Sequence, residues 1–260
     1  MAGIRHTTAG MILFIIALIK KESFSTKKEI LNAGLVGALL LLGGNGLVAY
    51  AEIRVPSSIA SLIIASVPLW ISGINWISGD KKKPSILEFI GLFLGFTGII
   101  VLAFQGSNSS TNMDVIGIIL LLIASFSWSI GSLYSKRTNM PKSSFYNVSF
   151  QMFMGGFLLL IFSILLGEYK LFNVSNITSQ SLFAMFYLIL FGSILAYSAY
   201  IWLLKNVNPT LASTNAFVNP VVALILGWRL ANEVLNIQAI IASILIIGAV
   251  IILTLSKRKV

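Results

Sequence analysis

The chain has 260 residues, of which 57% are apolar and 10% charged, and its mean hydropathy is +0.94. Soluble domains are typically about 45–50% apolar and about 25% charged, so this composition indicates a membrane protein. The net charge of +10 comes from short basic clusters between apolar runs, which argues against a nucleic-acid partner. The absence of cysteine from the sequence excludes disulfides and thiolate metal sites.

Nine apolar runs lie along the chain, each close to the roughly 20 residues that a helix needs to cross a bilayer. They are twice as long as a barrel strand and do not alternate, so we expect helices. The first run has no basic region before it and eight runs after it, which argues against a cleaved signal peptide. The predicted spans are 1–19, 30–51, 57–78, 86–104, 113–135, 147–167, 182–204, 210–230 and 237–255.

The basic residues predict the orientation of these spans. A cytoplasmic C-terminus leaves four of the 18 basic residues outside, namely Arg5, Arg54, Lys170 and Arg229. Because cytoplasmic loops are enriched in Lys and Arg, this unequal distribution favours that topology in the cell membrane. The remaining basic residues then lie inside: Lys20, Lys21, Lys27, Lys28, Lys81, Lys82, Lys83, Lys136, Arg137, Lys142, Lys205, Lys257, Arg258 and Lys259.

The sequence contains an internal repeat. At a constant shift of 152 positions the stretch 59–76 matches 211–228, including Pro68 with Pro220 and Trp76 with Trp228. The runs at 147, 182, 210 and 237 align with those at 1, 30, 57 and 86, and this alignment places Arg5 opposite Gln151. The run 113–135 has no partner in the first half. The chain is therefore predicted to be a duplicated unit.

Three stretches resemble the EamA-type transporters of the drug/metabolite transporter superfamily. Residues 1–10, MAGIRHTTAG, resemble the start of the family's second helix. Residues 46–70 are similar to its third and fourth helices, and residues 196–233 to its eighth and ninth, although Asn232-Glu233 replaces the usual Gly-Glu. The resemblance implies an all-α polytopic membrane protein with an inverted-repeat helix bundle. The first repeat is expected at 1–105 and the second at 113–256.

The resemblance implies ten helices, of which the sequence predicts nine. The unmatched run 113–135 would pair with a helix before Met1, so we expect that the first helix of the first repeat is missing. Two origins are open: an upstream start that the recorded sequence omits, or a chain that is truncated. Arg5 and His6 then form either an anion contact or titrating pair, or a solvated pair at the interface if Met1 is the true start.

Polar groups inside the spans are the candidates for substrate contact, because they are costly in lipid and usually face the bundle interior. Asn215 and Asn219 are four residues apart and share a helix face close to Pro220, which would free the carbonyl of Ala216. Pro68 would do the same for Ile64 in the repeat. These positions either line a polar substrate path between two kinked helices or hold helices together by hydrogen bonds.

Aromatic residues add further candidates, since Tyr and Trp can stack on an amphipathic or cationic ligand. Trp76, Tyr134 and Trp228 fit better as residues of the membrane interface. Asn45 lies between glycines that allow close helix approach. The predicted substrate contacts are Asn45, Tyr50, Ser61, Trp70, Trp128, Tyr197, Ser213, Asn215 and Asn219, with helix kinks at Pro68 and Pro220.

Enzyme chemistry has no support in the sequence, which has one histidine and neither an H-E-x-x-H motif nor a Walker A loop. We therefore expect no enzyme, no cofactor and no metal. No predicted span carries an acid at its centre, so ion coupling through a buried carboxylate is unsupported. The predicted function is secondary transport of small metabolites or drugs by alternating access, with export commoner in the family. The alternative is a membrane scaffold or a defective carrier. Oligomeric state, including a homo-oligomer, is left open.

Overall fold

The computed structural model describes residues 1–55, 57–78, 85–104, 114–168, 177–219, 221, 222, 229 and 237–256. Regular structure in this part of the chain is helical. The α-helices are α1 (Ala2–Ile19), α2 (Lys27–Gly37), α3 (Leu47–Ala51), α4 (Ser57–Ile64), α5 (Val67–Ile77), α6 (Ile86–Phe104), α7 (Val115–Arg137), α8 (Ser144–Leu165), α9 (Ser179–Tyr187), α10 (Ala196–Asn206), α11 (Pro209–Ala212) and α12 (Ile237–Ser256).

Five of the helical segments are long and apolar enough to cross a membrane, counted over the described residues. They are Ala2–Ile19, Lys27–Ala51, Val115–Arg137, Ser144–Leu165 and Ser179–Asn206. Val67–Ile77, Ile86–Val101 and Ile240–Leu255 are shorter apolar helices. The polytopic helical fold expected from the composition is therefore confirmed.

Polar residues set where several of these helices begin. Thr26 caps α2, because its Oγ1 accepts a hydrogen bond from the Glu29 backbone N–H at 3.3 Å. The Glu29 carboxylate in turn accepts from the Thr26 backbone N–H at 2.8 Å, which completes a capping box. Ser143 and Thr178 cap α8 and α9 in the same way, by accepting from backbone N–H groups of the first turn. The second span therefore begins three residues before the predicted 30.

Two long helices contain π-helical turns at related positions of the two halves. One is Ala38–Gly46, between α2 and α3, and the other is Leu188–Leu195, between α9 and α10. A shift of 152 positions superimposes most of the second segment on the first. Because π-helical turns are rare and frequently occur at functional sites, these two segments are places to look for function.

The chain forms two compact units. Unit A consists of Met1–Gly46 and Ile130–Val207, and unit B of Leu47–Ser129 and Asn208–Val260. Each unit combines residues from both predicted repeats, so the compact units do not follow the order of the sequence. The repeat boundaries at 1–105 and 113–256 stay a prediction.

Glycines allow close helix packing in unit A. A Cβ on Gly10 of α1 would come within 2.7 Å of the Phe153 backbone nitrogen of α8, and one on Gly156 would come within 2.6 Å of Thr7 Oγ1. Close approach of this kind drives helix association in lipid, where apolar surface alone offers little preference. Helices α1 and α8 therefore meet almost backbone to backbone, and Gly37 of α2 lies equally close to the Gln151 backbone of α8.

In unit B the predicted span 57–78 is divided into α4 and α5. The Ser66 hydroxyl donates to the Ile63 carbonyl at 2.6 Å, and the Ser66 backbone N–H donates to the same oxygen at 3.0 Å. Pro68 lies in the first turn of α5, where its missing N–H would have no helical partner. The core of this unit includes Phe217, which is fully buried, together with Leu92 and Ile246.

Candidate functional site

A chain of hydrogen-bonded side chains runs through the interior of unit A. The Tyr197 hydroxyl of α10 donates to Oε1 of Gln151 at 2.8 Å. Gln151 Nε2 then donates to Oδ1 of Asn147, one turn earlier on α8, also at 2.8 Å. All three side chains are buried, and Gln151 is fully so. Because these hydrogen bonds pair the Tyr197 hydroxyl and both ends of the Gln151 amide, they offset the cost of burying polar groups in an apolar helix bundle.

The same chain opens into a cavity at the end of unit A. The cavity has a volume of about 570 Å³, and Asn147 lines it. Its rim is mainly basic, with Lys136, Lys142 and Lys205 against Glu29. The Lys136 ammonium already has a partner in the protein, because its Nζ donates a hydrogen bond to the backbone carbonyl of Lys205 at 2.8 Å. Asn147 therefore connects a polar, basic opening to the buried amide of Gln151.

A second buried polar group lies on α1. Arg5 donates through Nη2 to Nε2 of His6 at 3.0 Å, and Nδ1 of His6 lies 3.4 Å from the Ser193 hydroxyl. A neutral imidazole that accepts from Arg5 carries its proton on Nδ1, so His6 donates to Ser193. His6 is 1% exposed and Ser193 is fully buried. His6 therefore lies in the interior of unit A, whereas one of the two alternatives from the sequence was a solvated pair of Arg5 and His6 at the membrane interface.

Two more contacts join helices of unit A. The Ser132 hydroxyl of α7 and the Tyr200 hydroxyl of α10 lie 2.7 Å apart. The Tyr134 hydroxyl donates to Oδ1 of Asn32 at 2.9 Å, and Asn32 Nδ2 donates to the Asn139 carbonyl at 2.9 Å. These contacts tie α7 to α2 and α10, and Tyr134, which we predicted as an interface residue, takes part in one of them.

Two of the predicted substrate contacts lie in unit A. Tyr197 belongs to the hydrogen-bonded chain described above. Asn45 is half-buried in the π-helical segment Ala38–Gly46. Unit A therefore places one predicted residue in a defined polar network and the other on a rare helical turn.

The other predicted contacts lie in unit B. Trp70 donates through Nε1 to the Ser66 hydroxyl at 3.1 Å and packs edge-on against Phe126 at 5.4 Å between ring centroids. Ser213 is buried and donates to the Thr210 carbonyl at 2.8 Å. Half-buried positions are occupied by Tyr50, Ser61, Trp128 and Asn215, whereas Asn219 is exposed. Pro220 lies outside the described residues.

Sequence reasoning did not select Arg5, His6, Gln151 or Ser193 as substrate contacts. The repeat alignment contained a signal for two of them, because it placed Arg5 opposite Gln151, two long polar side chains that are each the fifth residue of an apolar run. Ser193 gave no such signal, since a serine in a span usually donates to its own helix. Within the described residues no group of three or more His, Asp or Glu side chains could hold a metal ion.

The chain is similar to proteins that are named as transporters and to a solved structure. An uncharacterized inner membrane transporter of Escherichia coli K12, YedA, is 40% identical over 99% of this chain and 81% of its own length. The uncharacterized transporter YoaV of Bacillus subtilis is 24% identical over 100% of this chain and 88% of its own. One solved crystal structure matches all of this chain and 87% of its own with a TM-score of 0.82 at 18% identity, which shows the fold alone.

The family comparison covers nearly the whole sequence. Residues 1–104 and 115–255 match the EamA-like transporter family. The match agrees with the helical fold, the membrane-spanning helices and the transporter names of the relatives. The chain therefore belongs to the EamA-like transporter family.

Proposed function

We propose that this protein is a secondary transporter that moves small metabolites or drugs across the cell membrane by alternating access, in the export direction. The observation that carries the proposal is the polar chain from the basic cavity through Asn147 and Gln151 to Tyr197. Polar side chains within membrane spans are expensive, and they commonly mark substrate pathways. Membership of a transporter family supports the same conclusion.

The depth of this chain supports a substrate path. Gln151 lies seven residues after Ser144, the first residue of α8, which corresponds to about 10 Å of helix. Tyr197 lies nine residues before Asn206, the last residue of α10, or about 14 Å. The hydrocarbon core is about 30 Å thick, so the chain extends well into it from the cavity. A substrate entering the cavity would exchange hydrogen bonds with Asn147 first.

The π-helical segments support the alternating-access part of the proposal. They occur at related positions of the two predicted repeats, and irregular helices at corresponding positions of two halves are a feature of repeat-built transporters. In this scheme the repeats 1–105 and 113–256 have inverted topology and the C-terminus is cytoplasmic. Asn215 and Asn219 are proposed as further contacts in unit B.

An efflux measurement tests the proposal. The protein is produced in a bacterial host, and metabolites in the medium and cells are compared with those of cells carrying an empty vector. We expect at least one compound to accumulate in the medium. Gln151→Leu should slow its efflux by roughly tenfold at an equal membrane level, since losing a hydrogen bond costs about 1 kcal/mol or slightly more and about 1.4 kcal/mol corresponds to tenfold. Gln180→Leu, at an exposed glutamine of α9, is the matched control.

Other results of the same measurement would contradict transport or the assigned residues. Metabolite profiles equal to those of the empty vector, with wild-type protein folded in the membrane, would contradict transport. Efflux that is equally fast in wild type and Gln151→Leu would contradict the assigned path. Loss of the protein from the membrane in the Asn215→Ala and Asn219→Ala variants would assign these two residues to helix packing.

A further inference from the structure

An arginine side chain in unit A has a buried donor without an acceptor. Arg5 is half-buried in α1, and its Nε atom is buried with no hydrogen-bond partner among the described residues. No carboxylate in the described part of the chain forms an ion pair with it. Leaving a buried N–H unmatched is unfavourable, so this position favours a ligand that can accept a hydrogen bond from Nε.

The position of Arg5 is deep within the helices that surround it. His6 lies 14 residues before Lys20, at the basic end of α1, which corresponds to about 21 Å of helix. Its partner Ser193 is midway along the span Ser179–Asn206. The backbone of His6 and Thr7 packs against Gly156, which is in the middle of α8. The contacts with Ser193 and Gly156 therefore place His6, the neighbour of Arg5, beside the middle of two adjacent helical spans, which is the depth at which transporters bind substrate.

The guanidinium is held in place by the residues beside it. Nε2 of His6 accepts from Nη2 of Arg5, and the Ser193 hydroxyl orients the imidazole from the other side. A Cβ on Gly156 would come within 3.0 Å of the His6 backbone carbon, so α1 has no room to shift towards α8. His6 is thus a positioning residue for Arg5. A prearranged donor of this kind loses little freedom when an anion binds.

The aligned position of the second repeat carries a different side chain. The repeat alignment places Gln151 opposite Arg5. Gln151 is neutral, and both ends of its amide are hydrogen-bonded within unit A. Arg5 is charged and retains an unmatched N–H. A requirement for polar packing alone would be met by an amide in both halves, so the arginine has an additional role.

We infer that Arg5, positioned by His6 and Ser193, binds the anionic group of the transported molecule, so that the substrate is an organic anion with a carboxylate or a phosphate. Arginine suits both groups, because its planar N–H donors match their oxygens. The assignment of the anion as cargo rests on the proposed transport function; its binding at Arg5 does not. A lipid headgroup carries the same chemistry, but the depth of Arg5 favours a small molecule.

Binding to the purified full chain in neutral detergent tests the inference. Thermal unfolding is measured with sodium benzoate and with inorganic phosphate, at constant ionic strength against chloride, and with neutral benzamide. A ligand that binds only the folded state raises the unfolding temperature, and at a fixed ligand concentration the rise is larger when the affinity is higher. We expect benzoate or phosphate, and not benzamide, to stabilise the wild type. Arg5→Gln should weaken that affinity about 10- to 100-fold, as for loss of hydrogen bonds to a charged group.

Two variants control for less specific effects. Lys20→Gln removes a positive charge from the opposite end of α1 and should leave the anion response unchanged. Thr7→Val removes another buried hydroxyl that lacks a partner, two residues from Arg5 and packed on Gly156, and it should also respond like wild type. Arg5→Lys keeps the charge, and it should retain part of the response if Arg5→Gln does not fold.

The results separate this inference from the transport proposal. Equal stabilisation of wild type and Arg5→Gln, or no stabilisation by any anion, would overturn the Arg5 site even if the protein transports neutral or cationic compounds. A response to micelles doped with phosphatidylglycerol, without a response to benzoate or phosphate, would also overturn it. Benzoate binding that depends on Arg5, combined with no transport of any compound, would support the anion site and contradict the proposed function.

Discussion

The hydroxyl of Tyr197 donates a 2.8 Å hydrogen bond to Oε1 of Gln151, and both side chains are buried inside unit A. Tyr197→Phe should lower the free energy of unfolding by about 1–3 kcal/mol, because the amide oxygen of Gln151 loses its donor without access to water. Denaturant-induced unfolding in detergent would measure the difference. Tyr187→Phe, on a ring that is 52% exposed, is the control and should change stability by less than about 0.5 kcal/mol.

The contact of Gly37 with the backbone of Gln151 leads to a second prediction. A Cβ on Gly37 would overlap the Gln151 carbonyl oxygen, a backbone atom that cannot move aside as a flexible side chain can. Gly37→Ala should therefore destabilise the protein by about 1–3 kcal/mol or reduce its folded yield. Thermal unfolding combined with size-exclusion chromatography would detect either effect.

The control for that variant is Gly73→Ala. A Cβ at Gly73 of α5 would meet nothing within 4 Å. Alanine is the better helix former, so this variant should be neutral or up to about 1 kcal/mol more stable. Equal behaviour of Gly37→Ala and Gly73→Ala would contradict the close packing of α2 on α8.

Phe217 provides a test of the core of unit B. Its ring is fully buried and lies against Gly95 of α6. Phe217→Ala should lower the free energy of unfolding by about 3 kcal/mol, the lower end of the usual 3–5 kcal/mol. The loss is at the lower end because lipid is as apolar as the protein core, so that mainly packing is lost. Val218→Ala, at a neighbour that is 39% exposed, should cost much less. Similar unfolding curves for the two variants would contradict the packing described for Phe217.

The ion pair of Arg54 with Asp114 predicts a pH effect. Arg54 Nη1 donates to Oδ2 of Asp114 at 3.0 Å, and this hydrogen bond lowers the pKa of the Asp114 carboxyl below its ordinary value. A lowered folded-state pKa contributes stability that is present above the unfolded-state pKa and is lost as pH falls through the folded-state pKa. The contribution should therefore be complete above about pH 5 and decline below about pH 4.

Asp114→Asn isolates that contribution. An asparagine keeps an oxygen for the backbone N–H of Ile116, to which Asp114 Oδ1 is bonded at 2.8 Å, but it has no charge. The unfolding temperature of wild type minus that of the variant should stay constant above about pH 5 and shrink below about pH 4. A difference that is independent of pH would show that the pair does not affect stability.

Much of the fold follows from the order of residues in the sequence. Long apolar runs predict spans such as α1 and α8, because backbone groups in lipid must be paired within a helix. The sequence does not predict the division of the span 57–78 into two helices near Ser66. The pattern of prolines indicates a kink at Pro68, but it does not indicate the hydrogen bond from Ser66 to the Ile63 carbonyl. The predicted start of the second span was also late, because the Thr26 capping box extends the helix into polar sequence.

Less of the candidate site than of the fold can be predicted from the sequence. Tyr197 is a predicted contact because it is an aromatic residue within an apolar run, but its partner Gln151 is 46 residues away in the chain. His6 and Ser193 are 187 positions apart, and no local pattern connects them. Contacts of this range depend on which helices pack together, and that depends on small residues such as Gly10 and Gly156 in combination.

The sequence by itself determined the class of this protein and predicted apolar runs as membrane spans, because composition and apolar run length are local properties that lipid selects directly. Its family followed instead from the resemblance of the stretches 1–10, 46–70 and 196–233, and the family match confirms it. Only the tertiary structure decided which polar side chains meet. It joined Tyr197 to Gln151 and His6 to Ser193, and it left Nε of Arg5 without an acceptor among the described residues. The physical reason is that hydrogen bonding between helices depends on their relative rotation and depth, which close glycine packing sets in three dimensions.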